Sequence, residues 1–299
     1  MKKKIEFSVD DDIVDIRKDN VFKAVFTKDI PESKEALARL VSALIGHEVT
    51  IVTITANEPS VDSLTERQLR FDINCRTENG EPVNVEMSFH PDPFEPVRLE
   101  YHIGKLFINQ DIRGIDKSYD DLKRAYQITI LNKKKFFPDD VFFHTFEYYD
   151  PVHQVPLNGR SRIITVELSK LKNTVKKDID AMSLQEQWAI FFEYLTNRKK
   201  RYMINEIVKR EEGIALASEV LMTISKDEIE RCRLMSEEKA ILDYQSKMTY
   251  AKRHGLEIGM AKGMAKGMAK GMAEGRIEIL DLLKSGKSPE EIIKEYGAS

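Results

Sequence analysis

The chain has 299 residues, 41% of them apolar and 32% charged, with a formal net charge of −3. That length allows one substantial core and an appendage, and the near-neutral balance does not by itself point to nucleic acid. No apolar run approaches the roughly eighteen residues of a membrane span, and the basic start MKKK has no apolar stretch behind it, so neither a membrane-spanning nor a secreted protein is expected.

The first twenty residues read as a leader, followed by a short helix from Asn20 to Phe26. A longer amphipathic helix is predicted over about 32–45, where Leu37, Leu40, Val41 and Leu44 share one face and Gly46 stands at its end. Three β-rich runs follow, at 49–56, 69–77 and 82–89. Next comes a helix over about 96–110, presenting Leu99, Ile103, Leu106 and Phe107 on one side. Strands at 125–131, 141–149 and 162–168 complete an α/β core.

Beyond about residue 175 the pattern is wholly helical. Ser183/Glu186, Ser225/Glu228 and Ser288/Glu291 each have the Ser-x-x-Glu spacing of a capping box, the last with Pro289 at the first helical position. Between the last two, a charged stretch contains GMAKGMAKGMAKGMAE (259–274), and glycine recurs every fourth residue from Gly255 to Gly275. On a helix that step is about 400°, so the glycine stripe drifts roughly 40° per repeat. Each glycine costs about 1 kcal/mol against alanine, so the segment frays or finds a partner. A close-packed homo-oligomer helix and a spacer lengthened by repeat slippage are equally compatible with it, and the regular lysines exclude burial in lipid.

The organisation expected is therefore a core over 15–172, a helical region over 173–226, and a long repeat helix with a short terminal helix over 227–299. Cys75 and Cys232 lie far apart without metal-ligand spacing, which favours a reducing, cytoplasmic setting. The basic runs Lys133-Lys134-Lys135 and Arg198-Lys199-Lys200-Arg201 can hold phosphates, but such runs are ordinarily solvated surface.

The chemistry is concentrated in LRFDINCRT-ENG-EPVNVEMSF (69–89). Glu78-Asn79-Gly80 suits a three-residue hairpin loop with glycine at the left-handed position. That loop sets Asn74 opposite Asn84, Asp72 opposite Glu86 and Arg70 opposite Ser88, leaving Phe71, Ile73 and Cys75 with Val83, Val85 and Met87 on the other face. A two-residue turn mixes the faces, because a slip of one residue inverts every side chain. Two carboxylates then stand with Cβ atoms about 5 Å apart, a repulsive arrangement that a divalent cation converts into ligation. Hard oxygen ligands suit Mg²⁺ or Mn²⁺; solvated carboxylates neutralised by Arg70 and Arg76 are the structural alternative.

The surrounding pattern resembles the Rpn-type recombination-promoting nuclease and transposase family, a branch of the PD-(D/E)XK nucleases. KDNVFKAVF (18–26) resembles its Asp-x-x-Phe-Lys-x-x-Phe opening. ANEPSVDSLTERQLRFDI (56–73) and NGEPVNVEM (79–87) resemble its two acidic strands, and RLEYHIGKLFINQ (98–110) and SYDDLKRAYQITIL (118–131) the helix and strand that follow.

The resemblance implies a restriction-endonuclease-like fold and Mg²⁺- or Mn²⁺-dependent cleavage of DNA, linked to recombination or mobile elements. By position, Asp72 and Glu86 ligate the metal with the Met87 carbonyl. Ser88 stands where the wider class has lysine and this family commonly glutamine, so it can hydrogen-bond a water but not stabilise developing charge. A DNA-binding protein that has lost catalysis and an RNA-cutting effector remain alternatives. Arg98, His102 and Lys105 are candidates for phosphate contact on the polar side of the 96–110 helix, an ordinary solvated face being the other reading. Asp19 reads as a helix cap, with an outer metal contact as the alternative, Gln110 as a core-edge polar residue, and His90 as a strand end, with a second-metal role as the lesser alternative.

Overall fold

A computed structural model describes residues 5–55, 73–89, 91, 93–112, 116–132, 135–157 and 159–296. Helix α1 (Asp19–Thr27) buries Val21, Phe22, Val25 and Phe26, the i, i+1, i+4, i+5 stripe of one helical face. Helix α2 (Pro31–Ile45) starts on a proline and ends at Gly46, whose φ of 86° favours glycine. Strands β1 (Ile51–Thr55), β2 (Ile73–Thr77) and β3 (Pro82–Ser88) pair antiparallel in sequence.

Helix α3 (Glu95–Ile108) crosses back so that β4 (Ala125–Leu131) lies parallel to β3. The short strand β5 (Phe143–Phe146) and a separate ribbon of β6 (Tyr149–Asp150) and β7 (Val155–Pro156) precede β8 (Ser161–Glu167). The six-stranded mixed sheet has the order β1-β2-β3-β4-β8-β5. The strand expected over 141–149 is thus broken: its middle forms an edge strand and its end turns into the ribbon.

The two faces of the sheet differ in chemistry. Val83, Val85, Met87, Tyr126, Ile128, Ile130, Ile164 and Val166 lie on one face, in the main core with the helices. Asn84, Glu86, Ser88, Gln127, Thr129, Thr165 and Glu167 lie on the other, still buried, under α3. A small apolar cluster of Ile103, Leu106 and Ala125 seats that helix.

Helices α4 (Leu184–Tyr194), α5 (Arg201–Arg210) and α6 (Glu212–Lys226) share the main core, with α4 and α6 packed on α2. Phe22, Phe26, Trp188 and Phe192 meet ring to ring between α1 and α4, with centroids 4.9–6.4 Å apart. Gly213 lets α6 approach α2, because a β-carbon there would collide with Cβ of Arg39.

Several expectations are corrected. The first twenty residues are not a detached leader: Phe7, Ile13 and Ile16 are core residues. The Phe7 main chain is held in both directions by the Asn205 side chain, at 2.9 and 3.0 Å. Ser225 does not open a helix. It lies buried within α6, donates to the Leu221 carbonyl and accepts from the Val14 N–H. Asp227 instead caps the next helix, α7 (Glu228–Lys284), accepting from the Ile229 and Glu230 N–H groups. Within the basic run, Arg201 is buried over the Phe7 ring and donates to the Leu195 and Asp11 carbonyls, so it is a structural cation.

The chain forms two compact units, Met1–Met235 and Ser236–Ser299. The second holds the repeats and α8 (Pro289–Tyr296), whose Ser288/Glu291 capping box forms as expected and whose Tyr296 hydroxyl donates to Glu278 at 2.6 Å. Among the described residues, no helix is long and apolar enough to cross a membrane.

Candidate metal centre

The hairpin carries the site. The Thr77 N–H donates to the Glu81 carbonyl, the Gly80 N–H returns to the Thr77 carbonyl, and Gly80 has φ 79°, so the loop is the three-residue one. The observed register pairs Ile73 with Val85, Asn74 with Asn84, Cys75 with Val83 and Arg76 with Pro82, as the sorting of polar and apolar residues predicts. Asp72 lies outside the described residues, as do Arg70 and His90.

Glu86, at the centre of β3, is only 5% exposed. Its Oε1 is ion-paired with Arg98, and its Oε2 lies 3.4 Å from both His102 Nδ1 and Gln127 Nε2. Gln127 is fixed in turn: its Oε1 accepts from Asn84 Nδ2 at 2.8 Å and its Nε2 donates to Thr129 Oγ1 at 3.1 Å. A carboxylate that deep persists because charge-assisted and amide hydrogen bonds replace its water.

Helix α3 supplies the other side of the centre. Glu95, Arg98 and His102 follow at i, i+3 and i+7, so they share its sheet-facing stripe. Arg98 Nη2 also lies 3.3 Å from Glu95 Oε1, and Glu95 is 1% exposed. The same guanidinium nitrogen therefore meets two buried carboxylates. Burial, and secondly the Arg98 charge, pull the His102 pKa down to about 4 against the opposing pull of Glu95, so the ring is neutral at pH 7.

Of the residues expected to meet phosphate, Arg98 and Lys105 remain accessible, Lys105 lying 5.9 Å from the centroid of the Tyr101 ring. His102 does not: it is buried beside Glu86, because α3 is rotated to turn that residue inward. Ser88 is buried at the end of β3, and its carbonyl accepts from the Asn132 N–H at 3.0 Å. Met87 points its side chain into the main core. Asp19 is the first residue of α1 and pairs with Lys23 at 3.2 Å rather than capping the helix. Gln110 makes paired hydrogen bonds with the Lys123 main chain, a structural clasp before β4. Glu95 and Gln127 were not singled out in the sequence; their signal, an acid at the start of a helix and a polar residue amid a strand of apolar ones, is weak without the fold.

A second buried glutamate stands on the same sheet face. Glu167 Oε2 accepts from the Phe136 and Phe137 N–H groups at 2.6 and 3.3 Å, while Oε1 meets Lys170 Nζ at 2.5 Å. Lys170 also reaches Asp139 at 2.9 Å, and that hydrogen bond is the main reason the Asp139 carboxyl falls to about 2.

The fold and hairpin are those of a mixed α/β protein with a buried strand glutamate under a crossover helix. The family profile described as PD-(D/E)XK nuclease family transposase matches residues 16–251, and the chain belongs to that family. No curated protein and no solved structure gives a significant match. Membership suggests a nuclease related to mobile elements, a class that typically uses divalent metal ions. Among the described residues, no three His, Cys, Asp or Glu side chains converge as a metal cage. The donor present is of the type a hard cation takes, the carboxylate oxygens of Glu86, and Arg98 stands on one of them.

Proposed function

We propose that the chain is a metal-dependent DNA endonuclease acting in recombination or mobile-element biology, in a reducing cytoplasm. The observation that carries this reading is Glu86: a buried carboxylate on the strand that the resemblance makes the second acidic one, held on one side by a cation and on the other by an amide. Asp72 and Glu86 would hold Mg²⁺ or Mn²⁺ with the Met87 carbonyl. A divalent ion there supplies polarisation of the phosphate and a lowered pKa for an attacking water. The chain's own residues do the positioning. Gln127, fixed by Asn84, orients Glu86 Oε2; Ser88 offers a hydroxyl to the water; Arg98 and Lys105 meet backbone phosphates.

Plasmid nicking with Mg²⁺ or Mn²⁺ by the wild type, Asp72→Ala and Glu86→Ala tests this. Metal-dependent nicking lost in both variants is the expected result. Nicking that survives both sinks the assignment. A folded wild type that binds DNA without cutting it favours a degenerate binding protein, the reading that Ser88, uncharged at the third motif position, supports. Preferential cutting of single-stranded RNA over duplex DNA would mark an RNA-directed effector.

A second copy of the chain is the proposed partner of the repeats. Met260, Met264, Met268 and Met272 are 62–68% exposed, and β-carbons added at Gly259, Gly263, Gly267 and Gly271 would meet open space. Sedimentation of a chain ending near residue 250 tests it: an unchanged oligomeric state removes the proposal.

A further inference from the structure

Arg98 occupies a place that the metal reading leaves unexplained. The charge on a metal ligand's own oxygen is already taken up, because Arg98 is ion-paired with Glu86 Oε1 and the same nitrogen lies 3.3 Å from Glu95 Oε1. Both carboxylates are nearly sealed, at 5% and 1% exposure, whereas the arginine side chain is 43% exposed. The carboxylates are buried, and the cation is the exposed member of the group. Arginine also prefers phosphate oxygens in the same two-pronged geometry it uses for carboxylates.

We propose that Arg98 is a displaceable counter-ion: it holds Glu86 in the metal-free protein, yields that oxygen to the divalent cation, and turns outward to a backbone phosphate of the bound strand. The proposal rests on the metal reading above and adds its regulation. A divalent cation at that oxygen competes with the guanidinium for it and repels its charge, so metal entry favours Arg98 release. Glu95, three residues back on the same helix, localises the guanidinium near its starting point. Metal and nucleic acid then help each other bind, by equal factors in both directions. A nuclease built so keeps its arginine for the substrate only when the cutting ion is in place.

Mn²⁺ binding to the full chain, read by electron paramagnetic resonance without nucleic acid, is the test. Arg98→Gln is expected to bind Mn²⁺ at least about tenfold more tightly than wild type, the effect of removing one close positive charge. Arg98→Lys, which keeps the charge, is expected to stay near wild type, and Glu86→Gln to lose the site. Arg98→Gln binding no more tightly, with Glu86→Gln still abolishing binding, overturns the counter-ion and leaves the metal site standing. Mn²⁺ binding indifferent to Glu86→Gln overturns both. Should Arg98→Gln fail to fold, the wild type answers: the rate at which phenylglyoxal modifies Arg98, followed by peptide mass spectrometry, is expected to rise on adding Mn²⁺. An unchanged or slower rate overturns the proposal.

Discussion

Glu86 and Glu167 sit on the same face of one sheet, two strands apart, and each is paired with a cation from a following element. The pairs are built differently. Glu167 is 0% exposed and Lys170 2%, and two main-chain N–H groups complete the carboxylate's shell. Glu86 is as deep, yet its arginine is 43% exposed and its other oxygen rests on an amide and a neutral imidazole at 3.4 Å. A closed pair with short fixed bonds fastens the β8 end to the 136–140 segment. In the open pair one oxygen is held only by two longer contacts. The two acids are alike in burial and differ in the accessibility of their counter-ions.

The contrast is sharpest in stability. Lys170→Met strands Glu167 and is expected to cost about 3–5 kcal/mol in urea denaturation. Arg98→Gln removes the cation from two buried carboxylates but keeps hydrogen-bonding capacity at a position whose own side chain is half-exposed, and is expected to cost less, about 1–2 kcal/mol. Equal losses would erase the distinction. Acidity gives the next largest effect. His102 is neutral when folded down to about pH 4, whereas in the unfolded chain it takes up a proton below its ordinary 6.5. Stability from this residue is therefore complete above pH 6.5 and declines as pH falls toward 4, by at most about 1.4 kcal/mol per pH unit. Metal-free His102→Gln should flatten that part of the profile; a parallel curve would show the ring is not held neutral. The smallest effect belongs to Thr165, buried on β8 two residues before Glu167, with a hydroxyl that has no hydrogen-bond partner among the described residues. Thr165→Val is expected to be neutral or to stabilise by up to about 1 kcal/mol, read by thermal melting. A clear loss would mean the hydroxyl bridges the two pairs through water.

What was legible in the sequence was local. The alternation around Glu78-Asn79-Gly80 sorts polar from apolar residues in only one register, and that is the pairing observed from Ile73 to Val85. Gly46 and the Ser183/Glu186 capping box are likewise signals contained within a few residues. What escaped depends on distant partners. His102 has the composition of a solvated helix position, and only the seating of α3 on Ile103 and Leu106 turns it toward Glu86. Ser225 has the right spacing for a cap, but the core packing of α6 runs through it. Gln127 becomes a positioning group because β4 lies parallel to β3 with Gln127 beside Asn84, a register no short motif encodes. Asp72, the other half of the candidate site, lies outside the described residues.

The clasp on the N-terminal segment bears on how the protein is born. Phe7 is gripped by Asn205, Val14 bonds to Ser225, and the Asn20 amide donates to the Leu234 carbonyl at 2.6 Å. These partners lie 198 to 214 residues further along the chain, so the segment can settle only once that length has been made. At roughly 5–20 residues per second that is a wait of about ten to fifty seconds. During it the main core, on the apolar face of the sheet, lacks what α4, α5 and α6 bring to it. The protein thus emerges unfinished, and translation itself delays its maturation until α6 and the start of α7 are released.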